Sequence, residues 1–397
     1  MQEKVFEGYD LSPQQKHLWR LQQMVGMDQF RAWCAIQIEG RIDTQQLQHA
    51  IQLVTSRHEI LRTVFHRIPN LLLPLQVIRE ELSGQIVYQD LRDHPVYETD
   101  ALLTVAEANL ARLPVDLTQG PQFQGILLTQ SDEQHTLILH LSAFHADTVT
   151  LQLIAQELCD AYSLPAADLK DVPMQYADFS AWQNDTLESD EAEAGRAYWR
   201  EHAPSSLSNS LPFGYISDKP ATGAFAPLRA SVSLAQNIQL FLTTGSTALK
   251  TTPDVLILAG WMVLLQRLNG HNEQLVGVTF DGRNYDELYG AVGLYARSLP
   301  ISCSFDEHIS FTNLVAQLQT IMQGAAEHQE CFSWDQIKGR KDSSEPYFPL
   351  CFEFLEESTR VSGGGITFTL AAHSSYIDRF DIKLVCRRQQ DSFHCEL

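Results

Sequence analysis

The chain has 397 residues, of which 44% are hydrophobic and 19% charged. That is enough apolar material for a sizeable core in roughly two to three folding units, and it excludes a disordered chain. Lys plus Arg numbers 28 against 49 for Asp plus Glu, a net charge of -21, so nucleic-acid backbones and anionic membrane surfaces are excluded as partners by repulsion.

The first predicted helix starts at Ser12-Pro13, a cap residue followed by proline at the first helical position, and takes its apolar face from Leu18, Trp19 and Leu21. Residues 33–39 (WCAIQIE) read as a strand. Asp43-Thr44 caps a second helix with Leu47, Ala50, Ile51 and Val54 at helical spacing, and RHEILRTVF then turns from helix to strand around 60–66. Segments 124–129 and 135–141 read as paired strands across the polar turn Gln130–Gln134, followed by a helix carrying Val149, Leu151, Leu153, Ile154 and Leu158. The acidic, apolar-poor stretch 184–195 reads as a solvated helix start or linker, and the Pro/Gly/Ser/Ala-rich stretch 203–230 as a domain connection.

Beyond it a second set of elements follows. A helix capped near Thr252-Pro253 runs through VLILAGWMVLLQRL, and another spans roughly 308–326. Strands are predicted at 275–280, 349–356, 366–370 and 381–386, with DSFHCEL as a last strand. The triplet Gly363-Gly364-Gly365 before 366–370 reads as a turn. This order predicts an α/β chain of two lobes, each a mostly antiparallel sheet with helices. The expected division is an N-terminal lobe at 1–183, a connecting segment at 184–230 and a C-terminal lobe at 231–397.

Seven scattered cysteines without a C-x-x-C pair predict reduced thiols and no zinc site. The N-terminus lacks a signal layout, and no apolar run approaches the about 20 residues of a membrane span. The expectation is a soluble, cytoplasmic protein without a bound metal. No phosphate-binding glycine loop, G-x-S-x-G elbow or H-E-x-x-H pair is present. One local density of titratable groups remains, LILHLSAFHADTVT at 137–150, with His140, His145 and Asp147. The elementary reading puts His140 in the strand, His145 on the loop after it and Asp147 at the cap of the next helix.

A resemblance decides more than this spacing does. LSPQQKHLWRLQ (11–22) resembles Ser-x-Ala-Gln-x-Arg-Leu-Trp-x-Leu, the opening motif of the condensation domains of nonribosomal peptide synthetases. RHEILRTVF (57–65) is nearly identical to their second motif, and MQYADFSAWQ (174–183) resembles Tyr-x-Asp-Tyr-x-x-Trp-Gln. GVTFDGRNYDELYGAVGLYARSLPI (277–301) follows the family's Gly-Arg-x-x-x-Glu-Leu and Gly-x-Phe-Val-Asn-Thr-Leu-Pro run. EHQECFSWDQI (327–337) is similar to His-Gln-Asp-x-Pro-Phe-Glu, and PYFPLCFEF (346–354) stands where Arg-Asx-Pro-Leu-Phe would lie.

The resemblance implies two chloramphenicol-acetyltransferase-like lobes in a V shape, with a tunnel between them. Phosphopantetheine arms of acyl or peptidyl carrier proteins enter that tunnel as substrates, and the domain itself binds no cofactor. Partners would be those carriers and neighbouring synthetase domains, the domain being a monomer. The family's His-His-x-x-x-Asp-Gly motif would hold the second His against the attacking amine, with its Asp paired to an arginine.

The departures from that motif are specific. Alignment on Asp147 puts Ser142 and Ala143 where the histidines belong and Thr148 where the glycine belongs. Ala143 has no side-chain proton donor or acceptor, so a general acid–base contribution of about 10²–10⁴-fold is lost there. Tyr295-Ala296-Arg297-Ser298 replaces Phe-Val-Asn-Thr, which puts Tyr295, Arg297 and Ser298 at the implied tunnel. Asp147 and Thr150 would match the second half of the heterocyclisation motif Asp-x-x-x-x-Asp-x-x-Ser, but Ser142 stands for its first Asp. Asp147 with Arg283 resembles the family's structural ion pair, and Arg57 and Arg62 of the second motif resemble the family's charged residues that brace the first lobe.

Two main readings follow. In one, a degenerate condensation domain recruits carriers or a partner without forming an amide. In the other, an active amide-forming or cyclising acyltransferase works by positioning, or through His145 two residues beyond the missing histidine. A free acyl-coenzyme A acetyltransferase is disfavoured, since it needs the same histidine.

Overall fold

Ser12 starts the first helix with a reciprocal cap: its Oγ accepts from the Gln15 amide at 3.1 Å while Gln15 Oε1 accepts from the Ser12 amide at 3.2 Å. In the computed structural model, all residues are described except 1–7, 26–29, 82–83, 95–104, 106–114, 121–122, 166–168, 170, 172, 203, 205–224, 226, 307, 335–345 and 358–359. The predicted connection at 203–230 and the end of the 327–337 motif therefore lie largely outside the described residues.

In chain order the elements are α1 (Pro13–Val25), β1 (Arg31–Glu39), α2 (Thr44–Arg57), β2 (Thr63–His66), β3 (Leu75–Ile78), β4 (Gln85–Asp90), β5 (Phe123–Thr129), β6 (Gln134–Ser142), α3 (Thr148–Ser163), α4 (Tyr176–Glu188) and α5 (Glu193–His202). Then come β7 (Ser231–Ser233), α6 (Gln236–Leu249), α7 (Pro253–Asn269), β8 (Glu273–Phe280), β9 (Arg297–Ser304), α8 (Phe311–Glu327), β10 (Leu350–Glu356), β11 (Arg360–Gly363), β12 (Ile366–Ser375), β13 (Ile382–Gln389) and β14 (Ser392–Glu396). Asp43 caps α2 through the Gln45 and Gln46 amides, and Asp147 caps α3 through the Thr150 amide. Pro253 opens α7, and Gly270 closes it in the left-handed region at φ 71°.

The chain divides into two compact units. The first holds Met1–Asp185, Arg283–Ala296 and Ser358–Ile377, and the second Thr186–Gly282, Arg297–Glu357 and Asp378–Leu397. The first unit is built on a six-stranded sheet of order β11-β12-β1-β6-β5-β4, antiparallel except for β4 beside β5. β5 and β6 pair across the polar turn, with Phe123 opposite Leu141 and Thr129 opposite His135. The second unit has a six-stranded sheet of order β7-β14-β13-β10-β8-β9, in which only β10 runs parallel to its two neighbours. Its core packs α7 and α8 residues such as Leu258, Met262 and Leu318 against Val276, Leu299 and Phe352.

These units differ from the contiguous lobes that composition suggests, for physical reasons. β12 runs antiparallel along β1, with Ile36 opposite Leu370 and Ile38 opposite Phe368, which draws β12 and its neighbour β11 into the first unit's sheet. Its hairpin with β11 turns through Gly364 and Gly365, both at positive φ (60° and 82°), the pattern of a tight primed turn. Residues 184–202, at the start of the expected connection at 184–230, are largely helical. Buried Trp199 of α5 joins the second unit's core and donates its indole N–H to the His328 carbonyl at 2.7 Å.

Candidate functional site

The stretch that carries the motif begins at the end of β6. Alternation breaks there: Leu137 through Thr148 are all buried, because the strand lies inside the sheet and the loop after it turns inward. Ser142 is the last strand residue, and its Oγ accepts from the Phe144 amide at 3.3 Å. Ala143 has zero exposure, and its amide donates to the Phe30 carbonyl at 3.0 Å. Thr148, in place of the motif's glycine, is the first residue of α3 and is buried.

His145 is also wholly buried. Its Nε2 donates to the Thr63 carbonyl at 2.9 Å, and its ring meets Phe65 edge-on at 5.3 Å between centroids. The Nε2 proton is fixed by that carbonyl, which leaves Nδ1 as the unprotonated nitrogen, with no hydrogen-bond partner among the described residues. Burial pushes the imidazole down to about 4, with the Thr63 and Ser142 backbone groups opposing the shift. It is a neutral core histidine at physiological pH. His140 lies on β6 with Nε2 at 3.5 Å from Arg31 Nη1, and burial first, then the Arg31 cation, lowers it to about 4 as well.

Asp147 is the centre of a closed polar network in the first unit. Its Oδ1 accepts from the Thr150 amide at 2.8 Å and from Arg283 Nη2 at 3.1 Å. Its Oδ2 accepts from Arg283 Nη1 at 3.0 Å and from the Tyr295 and Ala296 amides at 2.9 and 3.0 Å. A carboxylate offers about four lone-pair positions, so five donors leave it none for a substrate. Arg283 is equally occupied: Nε donates to the Ala291 carbonyl at 2.9 Å, Nη2 to Thr150 Oγ1 at 2.9 Å, and the guanidinium lies 4.5 Å over the Tyr295 ring. The Thr150 hydroxyl donates to the Gly293 carbonyl at 2.7 Å and accepts from the Gly293 amide at 3.0 Å.

The same clamp reaches two further motif segments. Tyr176 donates its hydroxyl to the Leu294 carbonyl at 2.7 Å and shares a 2.7 Å hydrogen bond with Ser12 Oγ. A Cβ at Gly293 would fall on the Tyr176 ring, so glycine there is a packing requirement. Tyr295 is buried between Tyr176 and Phe179, with centroids at 5.1 and 4.6 Å, and burial raises its hydroxyl above the usual phenol range. In the sequence Ser12 stands out only as a helix cap and Thr150 only within the heterocyclisation pattern, and neither Tyr176 nor Gly293 stands out as a site residue. The position of Tyr176 within the 174–183 motif is the signal that could have marked it.

The remaining candidates lie elsewhere. Arg57 sits 3.6 Å from Glu157, which also takes a 2.7 Å hydrogen bond from His58, and Arg62 donates to the Arg79 carbonyl at 3.1 Å. Both brace the first unit. In the second unit, Arg297 donates to the Gln329 carbonyl at 2.9 Å, and buried Ser298 pairs with Thr279 across β8 and β9. The structure thus brings Asp147, Arg283 and Tyr295 together with Thr150. Arg57, Arg62, Arg297 and Ser298 belong to other local networks.

Known proteins carry the same chain plan. A family model described as Condensation domain matches residues 5–397. A linear gramicidin synthase of Brevibacillus parabrevis is 28% identical over 398 residues, covering 96% of this chain and 5% of that protein. Malpibaldin synthetase of Mortierella alpina is 24% identical over 97% of this chain and 7% of its own. The chain therefore spans a small fraction of the length of these relatives. Among solved structures, the condensation domain of the Monacolin K polyketide synthase MokA aligns with a TM-score of 0.80 at 22% identity, covering 98% of this chain and 91% of that one. The chain belongs to the condensation-domain family of the nonribosomal peptide synthetases.

Proposed function

We propose that this condensation domain engages acyl groups tethered to carrier proteins by phosphopantetheine, and serves to recruit carriers or a neighbouring synthetase domain without ordinary amide formation. The observation that carries this reading is Ala143. The motif position that would act on the amine holds a fully buried methyl group, while the motif's aspartate keeps a saturated structural network. Loss of the base removes about 10²–10⁴-fold from a rate, whereas loss of the aspartate would cost the fold. Retention of the second and removal of the first is the pattern of a domain kept for its shape.

The competing reading is an active acyltransferase that works by positioning or through His145. Proximity alone can supply a large part of a rate. Catalysis by His145 is disfavoured by its zero exposure, its hydrogen bond to the Thr63 carbonyl and its lowered basicity.

Binding and transfer are measured together to test the proposal. Acyl-loaded upstream and aminoacyl-loaded downstream carriers from the same synthetase are titrated against the domain and followed by fluorescence anisotropy. The mixture is then examined for product by intact-protein mass spectrometry. Saturable carrier binding without product supports recruitment. Product formation supports the enzyme, and failure to bind either carrier overturns both readings.

A further inference from the structure

β13 and β14 form a hairpin around the two-residue turn Gln390-Asp391, with Gln389 opposite Ser392 and Cys386 opposite Cys395. The two Sγ atoms lie 2.8 Å apart. On its other side β14 meets β7, where Ala230 and Leu397 exchange both backbone hydrogen bonds at 2.8 and 2.9 Å. The peptide groups of Leu397 thus face the β7 side, and by the two-residue period of a strand so do those of Cys395. Toward β13, then, Cys386 and Cys395 form a non-hydrogen-bonded pair. Such pairs hold their Cα atoms about 4.5 Å apart, inside the roughly 4.4–6.8 Å that a disulfide spans.

The other strand cysteines lack this arrangement. Cys34 stands opposite His373 and Leu139, Cys303 opposite Gln274, and Cys351 opposite Lys383 and Gly277. All seven cysteines are free thiols.

We infer that Cys386 and Cys395 are a reversible oxidation site, closing a cross-strand disulfide that staples the β13–β14 hairpin of the second unit. Cys386 has zero exposure and Cys395 retains 7%. The outer neighbour of β14 is only the three-residue β7, wholly exposed, with Val232 opposite Cys395. Local opening of so short a ladder admits a small oxidant. The hydrogen bond between the sulfurs favours the thiolate at Cys395 and the thiol at Cys386.

With hydrogen peroxide as oxidant, the Cys395 thiolate attacks one peroxide oxygen, forming a sulfenic acid and releasing hydroxide. The Cys386 sulfur then attacks the Cys395 sulfur, the S–S bond forms, and the sulfenic hydroxyl leaves. Two thiols give up two electrons and two protons, and one peroxide becomes two waters.

The test uses the full chain. It is treated with hydrogen peroxide, quenched, denatured in iodoacetamide and digested with trypsin without reduction. Arg387 and Arg388 lie between the two cysteines, so trypsin leaves Cys386 and Cys395 on separate peptides unless a bridge joins them. The expected result is a linked peptide pair, with neither sulfur alkylated, that dithiothreitol separates. Oxidised wild type should also melt at a higher temperature than reduced wild type, and Cys386→Ser and Cys395→Ser should lose that difference. Full alkylation of both cysteines after peroxide, bridging of either to another cysteine, or sulfinic acid at Cys395 beside an alkylated Cys386 would overturn the assignment. The mass readout is made on wild type, so it stands even where a variant fails to fold.

Discussion

Arg283 closes on Asp147 with its two terminal nitrogens 3.0 and 3.1 Å from opposite carboxylate oxygens, and both side chains are almost wholly shielded from solvent. The pair ties residues 283–296 to the start of α3 within the first unit. Asp147→Ala leaves the guanidinium buried without its counter-charge and also removes the helix cap. A loss of roughly 3–5 kcal/mol is expected in urea unfolding. Asp147→Ala combined with Arg283→Met should lose clearly less than the sum of the two single changes. Additive losses would mean that the two groups are not energetically coupled.

The Tyr176–Leu294 contact makes a second prediction about the same clamp. Tyr176→Phe removes the hydrogen bond to the Leu294 carbonyl and the acceptor of the Ser12 hydroxyl, so a buried carbonyl and a buried hydroxyl each lose the Tyr176 partner. It should cost about 1–3 kcal/mol of unfolding free energy. Gly293→Ala forces a methyl group into the Tyr176 ring and should cost a similar about 1–3 kcal/mol. Combined with Tyr176→Ala, which frees that space, the glycine substitution should cost less, the remainder being the backbone strain of a Cβ at φ 158°.

How much of this clamp is legible in sequence depends on which atoms build it. Side-chain caps announce themselves, so Ser12, Asp43 and Asp147 are readable from their own neighbours, as are the β5–β6 hairpin and the Gly364-Gly365 turn. The Tyr295 and Ala296 amides that hold Asp147 are backbone groups of residues about 150 positions away, and backbone donors carry no sequence signal. The placement of β12 is hidden for a related reason. Its alternation of buried and exposed residues fits either sheet, and only pairing with β1 decides which one it joins. The parallel neighbours of β10 are equally invisible, since strand composition does not encode direction.

Buried histidines give the fold a pH response. His145 falls from 6.5 to about 4 on folding. Above pH 6.5 it is neutral in both states. Between 6.5 and about 4 the unfolded chain takes up a proton that the folded chain refuses, so stability falls as pH falls. His145→Gln keeps a donor for the Thr63 carbonyl but cannot titrate. The stability lost between pH 7 and pH 4 should therefore shrink by on the order of 3 kcal/mol relative to wild type. Equal pH slopes in equilibrium unfolding would show that His145 is charged or exposed in the folded state.

Restoring the motif by Ala143→His is predicted to fail. The position has zero exposure, and its amide is engaged with the Phe30 carbonyl. An imidazole there must displace packed neighbours, at a cost of about 1–3 kcal/mol or more. Urea unfolding should show that loss, without a gain in acyl transfer. A variant as stable as wild type and newly active would mean that the position opens toward substrate.

The most direct test of the central claim is a single-turnover time course with wild-type domain, its acyl-loaded upstream carrier and its aminoacyl-loaded downstream carrier, read by intact-protein mass spectrometry. The domain should leave the condensed product at the level seen with the two carriers alone. Product formation well above that level, and above all its disappearance in His145→Ala at unchanged carrier binding, would contradict the account and make His145 part of a working enzyme.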